Sequence, residues 1–163
     1  SWRLFNALAK KGAFELITID FTDPRALADA LAQQPKVVWI ETPSNPLLRI
    51  TDLRFVIEAA HAAGALAVVD NTFLSPALQR PIADFGADVV VHSTTKYING
   101  HSDVVGGAAE GVLGQHRRIG GDDPVHIIVR QGSQDGERAG PDPERMLVAG
   151  LQRVGALVLR QFA

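Results

Sequence analysis

Hydrophobic positions in the first two-thirds of the chain follow two alternating periods. From Trp2 to Lys11, Leu4, Ala7 and Leu8 share one face at helical spacing and Gly12 follows, which predicts a helix. Ala13 to Asp20 (AFELITID) reads as a strand of β-branched and large apolar residues. Asp23-Pro24 then gives a helix start, with Asp as N-cap and Pro in the first turn, and Leu27, Ala30 and Leu31 form the apolar face. Val37 to Glu41 is a short continuous apolar strand. Thr51 is the expected cap of the next helix, whose face carries Leu53, Val56, Ile57 and Ala60 and which Gly64 ends. Ala65 to Asp70 is a strand, Ala77 to Asp84 a shorter helical segment, and Ala87 to His92 (ADVVVH) another strand. Strands that are apolar throughout and separated by helical patterns predict an α/β fold, a mostly parallel sheet with helices on both faces.

The last third breaks this rhythm. Residues 113–163 hold eight of the 15 glycines, seven arginines and no lysine, whereas all four lysines lie at or before Lys96. Gly114 to Pro143 shows no sustained period and is rich in turn residues. Only Arg145 to Phe162 reads as helical, with Leu147, Leu151, Val154 and Val158 on one face.

Composition narrows the class. The 163 residues suffice for about one domain, and 46% are hydrophobic, enough for a core. Sixteen basic against 18 acidic residues leave a net charge of -2, which argues against a polybasic nucleic-acid or membrane-surface binder. With no cysteine, disulfides, thiolate metal sites and cysteine nucleophiles are excluded, and a cytoplasmic location is the expectation. His92, His101 and Asp103 match no zinc spacing, so no metal is expected. Gly106, Gly107 and Gly111 make no dinucleotide fingerprint. Ser1 stands where a complete chain has Met, which reads as a piece of a longer protein.

In open α/β sheets, ligands bind beyond the carboxyl ends of the strands. Three segments would meet there: ETPSNPLLR (41–49), Asp70-Asn71-Thr72, and the run Ser93-Thr94-Thr95-Lys96-Tyr97 with Asn99 to Ser102 beyond it. One edge would thus carry an amine, a carboxylate, an amide and several hydroxyls. Such a set suits pyridoxal phosphate, which needs a lysine for its aldehyde, an acid for its pyridinium nitrogen and donors for its phosphate. Lys96 would supply the amine and Asp70 the acid. Ser93 and Thr95 would face the phosphate together if that segment stays extended. Asn45 would donate to the ring oxygen. Arg49 has the plainer reading of a structural ion pair.

The stretch VVDNTFLSPALQRPIADFGADVVVHSTTKYINGHSDVVGG (68–107), together with ETPSNPLLR, resembles the cysteine/methionine-metabolism family of fold-type I pyridoxal phosphate enzymes. The resemblance covers about residues 1–107 and implies the central part of that family's large domain. It implies Lys96 as the lysine that attaches the cofactor and as catalytic acid and base. It also implies Asp70 as the pyridinium partner, Ser93 and Thr95 as phosphate ligands, and Asn45 as a contact to the ring oxygen. NTFLSPALQ is most similar to the bacterial branch that replaces the succinyl group of O-succinylhomoserine with cysteine, giving cystathionine. A γ-lyase or an O-succinylhomoserine sulfhydrylase is the alternative within the family. A non-catalytic piece that binds cofactor weakly, or only associates with other subunits, is the alternative of another class.

The resemblance implies homotetramers with shared sites for a full-length relative, and hence a homo-oligomer here; it also implies small amino-acid substrates, with no nucleic acid and no membrane. The family's N-terminal arm, stacking tyrosine and C-terminal substrate-carboxylate arginine have no match in this sequence. Residues 108–163 are expected to form an atypical tail, and a shifted reading frame after about residue 108 is the expected cause.

Overall fold

The computed structural model describes residues 1–101, residues 103–111 and the strand 126–130 of the chain. Along the sequence run α1 (Trp2–Lys10), β1 (Glu15–Ile19), α2 (Pro24–Leu31), β2 (Val37–Glu41), α3 (Leu53–Ala62) and β3 (Leu66–Asp70). Then follow α4 (Ser75–Leu78), α5 (Pro81–Phe85), β4 (Val89–Ser93), β5 (Gly107–Gly111) and β6 (His126–Arg130). The described strands form one sheet in the order β1-β6-β2-β3-β4-β5. All neighbours are parallel except β4 and β5, which are antiparallel. The fold is α/β with a mostly parallel sheet.

Local chemistry explains most boundaries. Asp23 caps α2 with its carboxylate, accepting from the backbone N–H groups of Arg25 and Ala26, and Pro24 opens the first turn. The cap of α3 is Asp52, one residue later than expected, and it accepts from Phe55 N–H at 3.1 Å. Thr51 instead donates its backbone N–H to Thr42 Oγ1 at 3.0 Å, which ties the segment after β2 to the start of α3. The single helical segment expected over 77–84 is two short helices. Pro81 starts α5 because its ring cannot continue α4. Gly64 and Gly86 both adopt the left-handed conformation beyond their helices, at φ 81° and 77°.

Two apolar layers sandwich the sheet. On one face Val38, Ile40, Ala67, Val69 and Val90 pack against Leu27 and Ala30 of α2 and Leu53, Val56, Ile57 and Ala60 of α3. On the other, Trp39, Val68 and Val89 meet Phe5 of α1. The Phe5 and Trp39 rings stand edge to face, with centroids 4.8 Å apart. Neighbouring residues of β2 thus serve opposite cores, as strand alternation requires. At the amino end of the sheet, buried Asp88 accepts from Ala67 N–H at 2.7 Å and pairs with His61 Nε2 at 2.9 Å. This fixes β3, β4 and α3 relative to one another.

β6 departs from the sequence-based expectation. Its five residues lie within the segment that showed no period, yet their backbone pairs with β1 on one side and β2 on the other. A five-residue strand leaves little periodic signal, and both its partners are distant in sequence. The helix expected over 145–162 lies outside the described residues.

Candidate active site

β2, β3 and β4 end side by side. Glu41 is in register with Asp70, and Asp70 with Val91, two residues before Ser93. The segments leaving these strands therefore start from one edge of the sheet.

Asp70, the last residue of β3, is held firmly on one side. Its Oδ1 accepts from Thr72 Oγ1 at 2.6 Å and from Thr72 N–H at 3.1 Å. Its Oδ2 meets only the hydroxyl of Ser1, at 3.4 Å, among the described residues. Thr72 Oγ1 in turn accepts from the backbone N–H of Ser93 at 2.8 Å. Asp70, Thr72 and the end of β4 are thus a single hydrogen-bonded unit. Composition and spacing did not single out Thr72. The D-x-T spacing is a signal that could have found it, because an Asp side chain commonly bonds the backbone two residues on.

Asn71 is fully buried and anchors the segment after β3. Its Nδ2 donates to Gln79 O at 2.8 Å, and its Oδ1 accepts from Gln79 Nε2 at 2.9 Å. The segment 71–79 is thereby closed on itself beside Asp70.

The lysine segment turns at once. Extended structure ends at Ser93, and Lys96 N–H donates to Ser93 O at 3.1 Å, Asn99 N–H to Thr94 O and Gly100 N–H to Lys96 O at 2.9 Å each. The condition for Ser93 and Thr95 to share a face by strand alternation is therefore not met, and a tight turn sets their relation. Thr95 Oγ1 accepts from Gly106 N–H at 2.9 Å and donates to Gly106 O at 3.3 Å. This clamp closes the loop between β4 and β5. A Cβ on Gly106 would lie 2.6 Å from Thr94 Oγ1, so the approach requires glycine there. Lys96 is exposed on this turn, and the ring of its neighbour Tyr97 stands 6.3 Å from that of Phe73.

On the β2 side, Glu41 Oε1 accepts from Asn45 N–H at 3.1 Å, which leaves the exposed Asn45 amide beyond the strand end. The peptides before Pro43 and Pro46 are both cis. Arg49 pairs with Asp20 at the end of β1, and Asp20 also accepts from Thr22. Among the described residues no group of three or more His, Asp or Glu could hold a metal ion. No helix among them is long and apolar enough to cross a membrane.

The structure therefore unites Asp70 and Ser93 through Thr72 and puts Lys96 one turn beyond Ser93. Asn45 joins them only as the neighbour of Glu41, itself in register with Asp70. A carboxylate with one oxygen open, an exposed amine and nearby hydroxyls fit a group bearing a cationic ring nitrogen, an aldehyde and an anionic tail. Thr95 is the least free of the set, since its hydroxyl proton goes to Gly106.

Comparison with known proteins gives this arrangement a lineage. The chain is 57% identical to the cystathionine gamma-synthase of Escherichia coli over 107 residues, 66% of this chain and 28% of that protein. It is 37% identical to the cystathionine gamma-lyase of Bacillus subtilis over 155 residues, 95% of this chain and 38% of that protein. The crystal structure of cystathionine gamma synthase from Xanthomonas oryzae pv. oryzae in complex with aminoacrylate and cysteine is 81% identical, with a TM-score of 0.66. That match covers 68% of this chain and 28% of the other, so the chain spans well under half of these relatives. Residues 1–118, past the Gly107 limit of the sequence resemblance, match the family described as Cys/Met metabolism PLP-dependent enzyme. The chain belongs to this family of enzymes, whose cofactor is pyridoxal 5′-phosphate.

Proposed function

We propose that the chain carries the cofactor-holding part of an enzyme that replaces the succinyl group of O-succinylhomoserine with cysteine, forming cystathionine and succinate. The observation that carries this reading is the junction of Asp70, Thr72 and Ser93, one turn before Lys96. Its choice of reaction follows the likeness to the Xanthomonas oryzae synthase.

Pyridoxal phosphate, when bound, supplies an electron sink for carbanionic charge on the substrate. The chain's own residues do the rest. Asp70 would hold the ring nitrogen through Oδ2 and favour its protonated form. Lys96 Nζ would supply the amine that holds the aldehyde. As general base and then acid, it would take a proton from the substrate α-carbon and move protons at the β-carbon. Ser93 and Thr95 would hold the phosphate, Thr95 by redirecting the hydroxyl proton that it donates to Gly106 O at 3.3 Å. Asn45 donates to the ring oxygen. The assembly is a cytoplasmic homo-oligomer, in which other copies complete the site.

Product analysis tests the reading. The chain with cofactor, O-succinylhomoserine and cysteine is expected to yield cystathionine and succinate. Release of 2-oxobutyrate and ammonia would replace it with a lyase, and cofactor binding without any product would make the chain non-catalytic.

A further inference from the structure

We infer that Thr72 is a positioning residue for the cofactor, and that its hydroxyl, acting with its backbone N–H, fixes the oxygen of Asp70 that would face the ring nitrogen and ties it to the end of β4. The inference rests on the proposed function and extends it to a residue that touches neither substrate nor cofactor.

A hydroxyl has one proton and two lone pairs. The backbone N–H of Ser93 donates into Thr72 Oγ1 at 2.8 Å. The Thr72 proton is therefore directed away from Ser93, toward Asp70 Oδ1 at 2.6 Å. Thr72 N–H donates to the same oxygen at 3.1 Å. Both donors select Oδ1, and Oδ2 is left with the long 3.4 Å contact to Ser1. The carboxylate is thus rotationally fixed, with one oxygen occupied and the other presented. Asn71 keeps Thr72 in place, since the bonds of Asn71 to Gln79 close the segment in which Thr72 lies. The same hydroxyl holds the end of β4, adding a side-chain link at Ser93 to the strand pairing that places Asp70 beside Val91. A backbone turn alone would orient Asp70 through Thr72 N–H, but only the hydroxyl joins it to Ser93.

Two substitutions separate these contributions. Thr72→Val keeps the branched shape and removes the hydroxyl, and Thr72→Ser keeps the hydroxyl. In the cofactor-free chain, hydrogen exchange at the Ser93 amide is expected to rise about fivefold in Thr72→Val and to stay near wild type in Thr72→Ser. With pyridoxal phosphate labelled with ¹⁵N in its ring, the wild type and Thr72→Ser are expected to show the protonated-nitrogen resonance. In Thr72→Val that resonance is expected to move toward the neutral position. A Thr72→Val resonance identical to wild type, or a folded Thr72→Ser that behaves as Thr72→Val, overturns the inference and leaves the proposed function standing. A wild-type chain that takes up no cofactor on Lys96 defeats the proposed function, and the inference with it.

Discussion

Asn71 is bonded to Gln79 twice, through Nδ2 to the backbone oxygen at 2.8 Å and through Oδ1 to the side-chain amide at 2.9 Å. Asn71 is fully buried and Gln79 half-buried, so the two bonds are partly shielded from water. Asn71→Ala removes them together and leaves the Gln79 groups to find water. Loss of about 1–3 kcal/mol of stability is expected, read as a lower urea midpoint at unchanged slope. An unchanged midpoint would show that the pair merely accompanies the loop.

The buried Asp88 carboxylate makes a second such prediction. It holds Ala67 N–H at 2.7 Å and His61 at 2.9 Å. Asp88→Ala orphans a buried backbone donor and is expected to cost about 1–3 kcal/mol. Asp88→Asn keeps an acceptor for Ala67 and is expected to restore part of that loss. Equal destabilisation by both substitutions would assign the stability to the contact with His61 rather than to the backbone bond.

Asp23 and Gly86 test the helix ends. Asp23→Ala removes the acceptor for two N–H groups at the start of α2 and is expected to cost about 1 kcal/mol. Gly86→Ala forces a side chain into a φ of 77° beyond α5, where free space does not relieve backbone strain. A loss of about 1 kcal/mol is expected there as well. Thermal melts of the two variants check both values, and a melting temperature equal to wild type would contradict the assigned cap.

Much of this architecture is legible in the sequence, for identifiable reasons. β2 lies where the apolar run Val37–Glu41 places it, because a strand buried on both faces is apolar throughout. The start of α2 follows from Asp23-Pro24, a signal contained in two residues. β6 escaped because its pairing with β1 and β2 is non-local and its five residues sit among turn formers. The cap of α3 slipped by one residue because Thr51 and Asp52 are both capping types, and the structure spends Thr51 on Thr42. In the site, the residue types at Asp70 and Lys96 suggest their chemistry. The role of Thr72 depends on a contact with Ser93, 21 residues away, which local pattern does not encode.

The central claim is that Lys96 is where the cofactor attaches. Incubating the chain with pyridoxal 5′-phosphate, reducing with borohydride and mapping the labelled peptide tests it most directly. A visible absorption band that borohydride abolishes, with the label on Lys96 and none in Lys96→Ala, is the predicted result. A folded chain that gives no band, or that carries its label on Lys10, Lys11 or Lys36, would contradict the account.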